Sequence, residues 1–291
     1  MKTNNVLTSC LLLSVSCCLG FASCQSGKTD SAAVADTSHV RTVPTASTDT
    51  NLLRVAVVPD YDCLPVYYAQ RSGIYRRLGL QVHLASYASQ MDCDTALLGQ
   101  TVDGGVADSV RWAAWGKRAS SFRTMWKGNR RWQFVVRAGL RGKEIRTLRG
   151  RTLATARQAT EDHLLTDFLK QGGVEREAVY RPQINDLRLR AAMLADKQYD
   201  GAFLSWPYVA LARQRGARVW KGALPASAPT LFVMKRSRLE SPRVKKQWEL
   251  FEQGRRMAID SLRIKGPAAY TVLLQQTYRL PAEVADTLRY Q

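Results

Sequence analysis

Histidine is scarce, with three residues in a chain of 291. His39 lies in a polar N-terminal stretch, His83 alternates within an expected strand and His163 falls on an expected helix; neither His83 nor His163 has an evident Ser or Cys partner in sequence. There is no G-x-S-x-G turn, no H-E-x-x-H pair and no phosphate-binding loop. No catalytic residue is therefore assigned, and no cofactor is expected. Cysteine is also sparse: of six residues, only Cys63 and Cys93 lie beyond position 24, too few for a disulfide-framed scaffold. Acidic residues number 24 against 43 basic ones, a formal charge of +19. That excess suits nucleic acid, an anionic membrane surface or an anionic ligand. The arginines are dispersed, however, from Arg123 to Arg157 and again around 188–190, 213–218 and 236–256, which reads as a charged surface. Hydrophobic residues make up 45% of the chain, enough for a packed core.

The longest uncharged apolar run, Val6–Ala22, is short for a spanning helix of about 20 residues. With Lys2 before it, the run suits a signal segment. It ends at Phe21-Ala22-Ser23-Cys24, similar to a bacterial lipobox, which makes Cys24 the expected lipidation site and 1–23 a lipoprotein signal peptide. An acyl chain contributes about 0.8 kcal/mol per buried methylene, so acylated Cys24 would hold the protein at a membrane. Residues 24–51 are rich in Ser, Thr, Ala and Asp and read as a flexible tether. Export places the protein on the periplasmic side of a bacterial membrane and argues against nucleic acid as a partner.

From Leu52 the pattern alternates strand and helix. Strands are expected over 52–58, 80–84, 102–107, 132–137, 151–155, 178–184, 201–204 and 230–234, with helices between them. A long amphipathic helix follows Ser241-Pro242, and two short helices close the chain. Such alternation predicts parallel sheets and an α/β fold. Two such sets, the first completed by a returning strand, predict two Rossmann-like lobes: 52–138 plus 230–291, and 139–229. The crossings are expected near Val136–Leu140 and Pro225–Pro229.

The segment Leu64-Pro-Val-Tyr-Tyr-Ala-Gln-Arg-Ser-Gly-Ile-Tyr-Arg-Arg-Leu-Gly-Leu-Gln-Val82 resembles one family: the substrate-binding proteins of ABC importers in the nitrate, taurine and thiamine-precursor class. Ala96–Asp108 is similar to that family's "A-L-x-x-G-x-V-D-x-x-x-x-D", with Gln100 where Gly is usual. Leu148–Ala154 matches its "L-K-G-K-x-I-A", and Ala191–Ala202 with Trp206–Ala212 resembles its later motifs. The resemblance spans 52–235. It implies a two-lobed periplasmic-binding-protein-like fold of type 2 that closes on a small ligand and docks on an ABC permease with its ATPase. It leaves the ligand open, an anion or a planar aromatic being the leading classes. A non-transport sensor or accessory lipoprotein is the alternative, and a pyrimidine-precursor enzyme a more remote one.

In open α/β sheets ligands sit beyond the carboxyl ends of strands. The ligand-binding candidates there are Asp60, Tyr61, Asp62, Asp108, Ser109, Thr155, Thr160, Asn185, Asp186, Trp206 and Tyr208. Helix N-termini with free amides could meet an acid group, as after Thr155–Thr160, and Trp206 and Tyr208 could stack on a ring. Each carries an ordinary structural alternative: a turn, a helix cap or a core aromatic. Cys63 and Cys93 follow neighbouring strands, each in an acidic setting. A disulfide, two separate thiols and a soft-metal site with Met91 all remain open, although the spacing matches no standard zinc motif.

Overall fold

Short apolar runs build two sheets. The computed structural model describes residues 51–221 and 226–290. The signal segment, Cys24 and all of the tether but its last residue lie outside the described residues. The strands are β1 (Leu53–Val57), β2 (Val82–Ser86), β3 (Gly104–Asp108), β4 (Phe122–Lys127), β5 (Arg131–Val136), β6 (Leu153–Ala154), β7 (Gly201–Ser205), β8 (Arg218–Val219), β9 (Ala226–Ser227) and β10 (Thr230–Lys235). The first sheet runs β2-β1-β3-β10-β4 and the second β6-β7-β5-β8, with β9 also pairing β5. β1, β2 and β3 are parallel, and β10 enters antiparallel between β3 and β4. Central strands covered on both faces are largely apolar. β3 and β7 are buried at every residue, with only their last residues, Asp108 and Ser205, polar.

The helices are α1 (Leu64–Arg71), α2 (Ile74–Arg77), α3 (Gln90–Leu98), α4 (Ser109–Ala114), α5 (Thr160–Gln171), α6 (Leu187–Ala195), α7 (Tyr208–Gln214), α8 (Arg236–Leu239), α9 (Pro242–Lys265), α10 (Thr271–Gln276) and α11 (Ala282–Ala285). α5 starts with Glu161 and Asp162, acids that favour the positive helix end, and buries Leu165, Phe168 and Leu169. α9 buries Val244, Trp248, Phe251, Ala258 and Leu262 against the first sheet and α1. Its Gly254 lies against Tyr75, where a Cβ would stand 2.6 Å from the ring, so glycine permits the close approach that stacks Tyr75 on Phe251 at 5.2 Å.

Two expectations are corrected and one strand was not foreseen. The strand expected over 132–137 was assigned to the first lobe with a crossing near Val136–Leu140. It is β5, and it pairs with β7 along a full antiparallel register from Trp132↔Ser205 to Val136↔Gly201. The chain therefore crosses earlier, at Gly128–Arg130, between β4 and β5. The strand expected over 178–184 is reduced to two isolated parallel bridges, Thr152↔Tyr180 and Thr155↔Gln183. β4 had no expectation: Arg123 and Lys127 interrupt its apolar pattern, because it is an edge strand with three of its six residues exposed.

Candidate functional site

Strand ends from both sheets converge on one small polar cavity. The loop after β1 supplies Val58, Pro59 and Asp60; the segment after β2 supplies Ala88 and Gln90. The crossing contributes Arg130, and the start of β5 contributes Trp132. Glu161 comes from the first turn of α5, Asn185 and Leu187 from the start of α6, and Tyr208 from the start of α7. The cavity volume is about 30 Å³, the scale of ordered water rather than an organic molecule.

Its polar atoms are unevenly satisfied. Arg130 and Asp60 form a buried ion pair, and Glu161 Oε1 meets Arg190 Nη1 at 2.9 Å. Arg190 is fully buried, and its other guanidinium nitrogens donate to the Ile184 carbonyl at 2.9 and 2.6 Å. Two acids thus balance two arginines. By contrast Gln90 Oε1, Trp132 Nε1, Tyr208 Oη and Arg130 Nε are buried without a hydrogen-bond partner. Orphaned buried groups are costly, and four such atoms belong to residues lining this one cavity. Burial lowers the Arg130 guanidinium to about 10 and pushes the Tyr208 hydroxyl well up, so that the phenol stays protonated.

The two sheets are clasped around this cavity. The Asp108 carboxylate caps α4, accepting from Val110 N–H and Arg111 N–H at 3.0 Å each, and its other oxygen accepts the Thr160 N–H of α5 at 3.1 Å. Burial, then the Glu161 charge, raises its pKa. The amide expected to receive a ligand acid group is therefore held by the protein's own carboxylate. Ser89 bridges Asp186, and Asn185 Nδ2 approaches Met91 Sδ at 3.8 Å. On α3, Asp94 Oδ2 meets Arg111 Nε at 2.6 Å, and Arg111 Nη1 reaches the Arg157 carbonyl at 3.3 Å. Burial pushes Asp94 up to about 7 against the lowering influence of Gln90 and Arg111.

The candidate residues divide among several places. Asp60, Asn185 and Tyr208 line the cavity. Tyr61 and Trp206 do not; they meet edge to face at 5.3 Å beside a different pocket. Asp62 turns to the crossing, where its Oδ1 accepts the Asn129 N–H at 2.9 Å. Asp108 and Thr160 form the clasp, and Ser109 opens α4 beside it. Asp186 caps α6 through Arg188 N–H and Leu189 N–H, and Thr155 is buried with its hydroxyl unpartnered. Sequence reasoning missed Gln90, Arg130, Trp132, Glu161 and Leu187. An acid in the first turn after a strand end was the one available signal.

Cys63 and Cys93 are free and fully buried, so the disulfide left open by the sequence is not formed. Cys93 Sγ donates to the Val106 carbonyl at 3.1 Å, and burial pushes both thiols up, keeping them neutral. Among the described residues no group of three His, Cys, Asp or Glu is placed to hold a metal ion, and no helix is long and apolar enough to cross a membrane.

Similar solved structures share this architecture. The alkanesulfonate-binding protein SsuA from Xanthomonas axonopodis pv. citri, bound to MOPS, superposes with a TM-score of 0.62 at 17% identity, covering 81% of this chain and 82% of that one. The nitrate-binding protein NrtA from Synechocystis PCC 6803 gives 0.64 at 13%, covering 81% and 69%. A ligand-binding component of an ABC-type import system from Staphylococcus aureus, with zinc bound, gives 0.66 at 12%, covering 81% and 82%. No curated protein matches the sequence. The fold is the two-lobed periplasmic-binding-protein-like fold. The sequence profile described as "NMT1/THI5 like" matches residues 60–259, well over half of the chain, and the protein belongs to that family.

Proposed function

We propose that this protein is a solute-binding lipoprotein of an ABC importer, held at the periplasmic side of a membrane through Cys24 and delivering a small molecule to a permease. It acts by binding, without turnover. The observation that carries the reading is the cavity between the strand ends of both sheets, with four unpartnered buried polar atoms aimed around it. The arrangement is that of a closed two-lobed receptor: opening at Gly128–Arg130 and at the return before β10 would enlarge the cavity to admit a ligand.

The charge pattern favours a neutral, planar heteroaromatic molecule over an anion. Arg130 and Arg190 already hold Asp60 and Glu161, and Asp108 already holds the α5 amide. An incoming sulfonate or nitrate would meet no uncommitted positive charge. Gln90 Oε1 offers an acceptor, Trp132 Nε1 and Arg130 Nε offer donors, and the Trp132 and Tyr208 rings offer apolar walls. The sensor or accessory reading rests on the small cavity and the Asp108 clasp, which would leave the lobes permanently shut.

Native mass spectrometry of residues 25–291, followed by thermal shift with neutral heteroaromatics, sulfonates and nitrate, tests the reading. A co-purifying or stabilising heteroaromatic is expected, with the gain lost in Asn185→Ala. At a hundredfold excess over Kd the gain is about 2.7 kcal/mol. Stabilisation by sulfonate or nitrate alone would overturn the ligand class. No shift with any class, and no co-purifying molecule, would favour the accessory reading.

A further inference from the structure

β5 separates two unlike pockets. Side chains alternate across a strand, so Trp132 enters the interlobe cavity while Arg131 and Gln133 face the other way. On that second side lies a groove of about 630 Å³, within the range of organic-ligand sites. Its lining carries four arginines and no carboxylate. Arg131 and Arg213 form no ion pair among the described residues, and Arg289 donates only to backbone carbonyls, of Asp286 at 2.9 Å and Leu288 at 3.1 Å. Arg130 reaches both pockets, with its charge held by Asp60 and its Nε unpartnered. Tyr61 and Trp206 form the aromatic wall.

We propose that this groove, which also has lining residues from both lobes and shares only Arg130 with the cavity at Trp132, is a second binding site for an aromatic anion bearing two acidic groups. Guanidinium forks match carboxylate, sulfonate and phosphate oxygens in pairs, and three of them without an acid partner among the described residues line one concave surface. A ring lying against the Tyr61–Trp206 corner would place acidic substituents toward Arg131 on β5 and Arg213 on α7. The interlobe cavity has the opposite character, since its arginines are neutralised in place. The occupant would touch the first crossing at Asn129–Arg131, so it would bind where the lobes hinge.

Isothermal titration with a naphthalene disulfonate tests the site, with sulfate and a neutral naphthol as comparison ligands. Saturable one-to-one binding is expected for the disulfonate alone. Both arginines are exposed, so Arg131→Glu/Arg213→Glu folds normally and weakens binding at least about tenfold, the loss of two charge-assisted contacts. Tyr208→Phe, which removes only an unpartnered hydroxyl of the interlobe cavity, leaves disulfonate affinity unchanged even if that cavity binds nothing. Undetectable disulfonate binding, equal binding by the double arginine variant, or loss of binding in Tyr208→Phe would each overturn the proposal.

Discussion

The two faces of β5 meet opposite kinds of surroundings. On one side Trp132 sits 2% exposed above a cavity in which Asp60, Glu161, Arg130 and Arg190 are buried and mutually paired. On the other, Arg131 and Arg213 are exposed beside a groove twenty times larger, with no carboxylate in its lining among the described residues. The arginines of the two faces thus carry very different energies. Where water is excluded, a charge must be matched atom by atom, and removing one partner strands the other. Where water remains, a charge costs little to keep and little to lose. The cleft face is therefore rigid and selective, and the rear face is free to attract.

The sharpest way to break this contrast is Glu161→Ala. Arg190 would be left fully buried with only backbone carbonyls as partners. A loss of about 3–5 kcal/mol is expected, read as a lower urea midpoint at unchanged slope. A loss below about 1 kcal/mol would mean that water reaches the pair, and the cleft face would be no drier than the rear one.

An effect of at most comparable size, spread over the pH range, should appear on the cleft side. Asp94 packs behind Gln90 and has its carboxyl pushed up to about 7 by burial, from an ordinary value of 3.8. The folded protein then binds this proton more tightly than the unfolded chain does. Its contribution to stability is fully present below about pH 4 and is lost as pH rises to about 7, with a slope of at most about 1.4 kcal/mol per pH unit. Urea unfolding of wild type and Asp94→Asn across pH 4 to 8 should give a difference that changes through that window and is flat above it. A difference independent of pH would show Asp94 ionised throughout, held by Arg111.

Much of the frame was legible in the residues, for physical reasons. Buried parallel strands such as 53–57 and 104–108 must be largely apolar, with Arg54 and the terminal Asp108 as their polar exceptions, and helix starts such as Asp108 and Asp186 must satisfy free amides. The site was less so. Asp60, Asn185 and Tyr208 follow strand ends and were within reach of the crevice rule, whereas Arg130 and Trp132 lie where β5 begins. That position is a crevice position only if β5 belongs to the second sheet. Apolarity identifies a strand without naming its neighbour, and the crossing expected near Val136–Leu140 drew β5 into the first lobe. The clasp was hidden for a similar reason: Asp108 looks the same in sequence whether it caps one helix or reaches a second, 52 residues on.

The rear face should yield the smallest effect. Arg213 lies in the last turn of α7, exposed and without an ion pair among the described residues. It loses little on truncation except its favourable interaction with the negative helix end, a few tenths of a kcal/mol. Arg213→Ala should therefore shift the urea midpoint by no more than the equivalent of about 0.5 kcal/mol, and added salt should shrink even that difference. The two variants set the scale for each other. If Arg213→Ala cost as much as Glu161→Ala, the rear arginines would be structural, held by contacts that leave no charge to offer a ligand. A near-silent substitution would instead leave ligand binding as the reason to gather around one groove three guanidiniums that have no ion pair among the described residues.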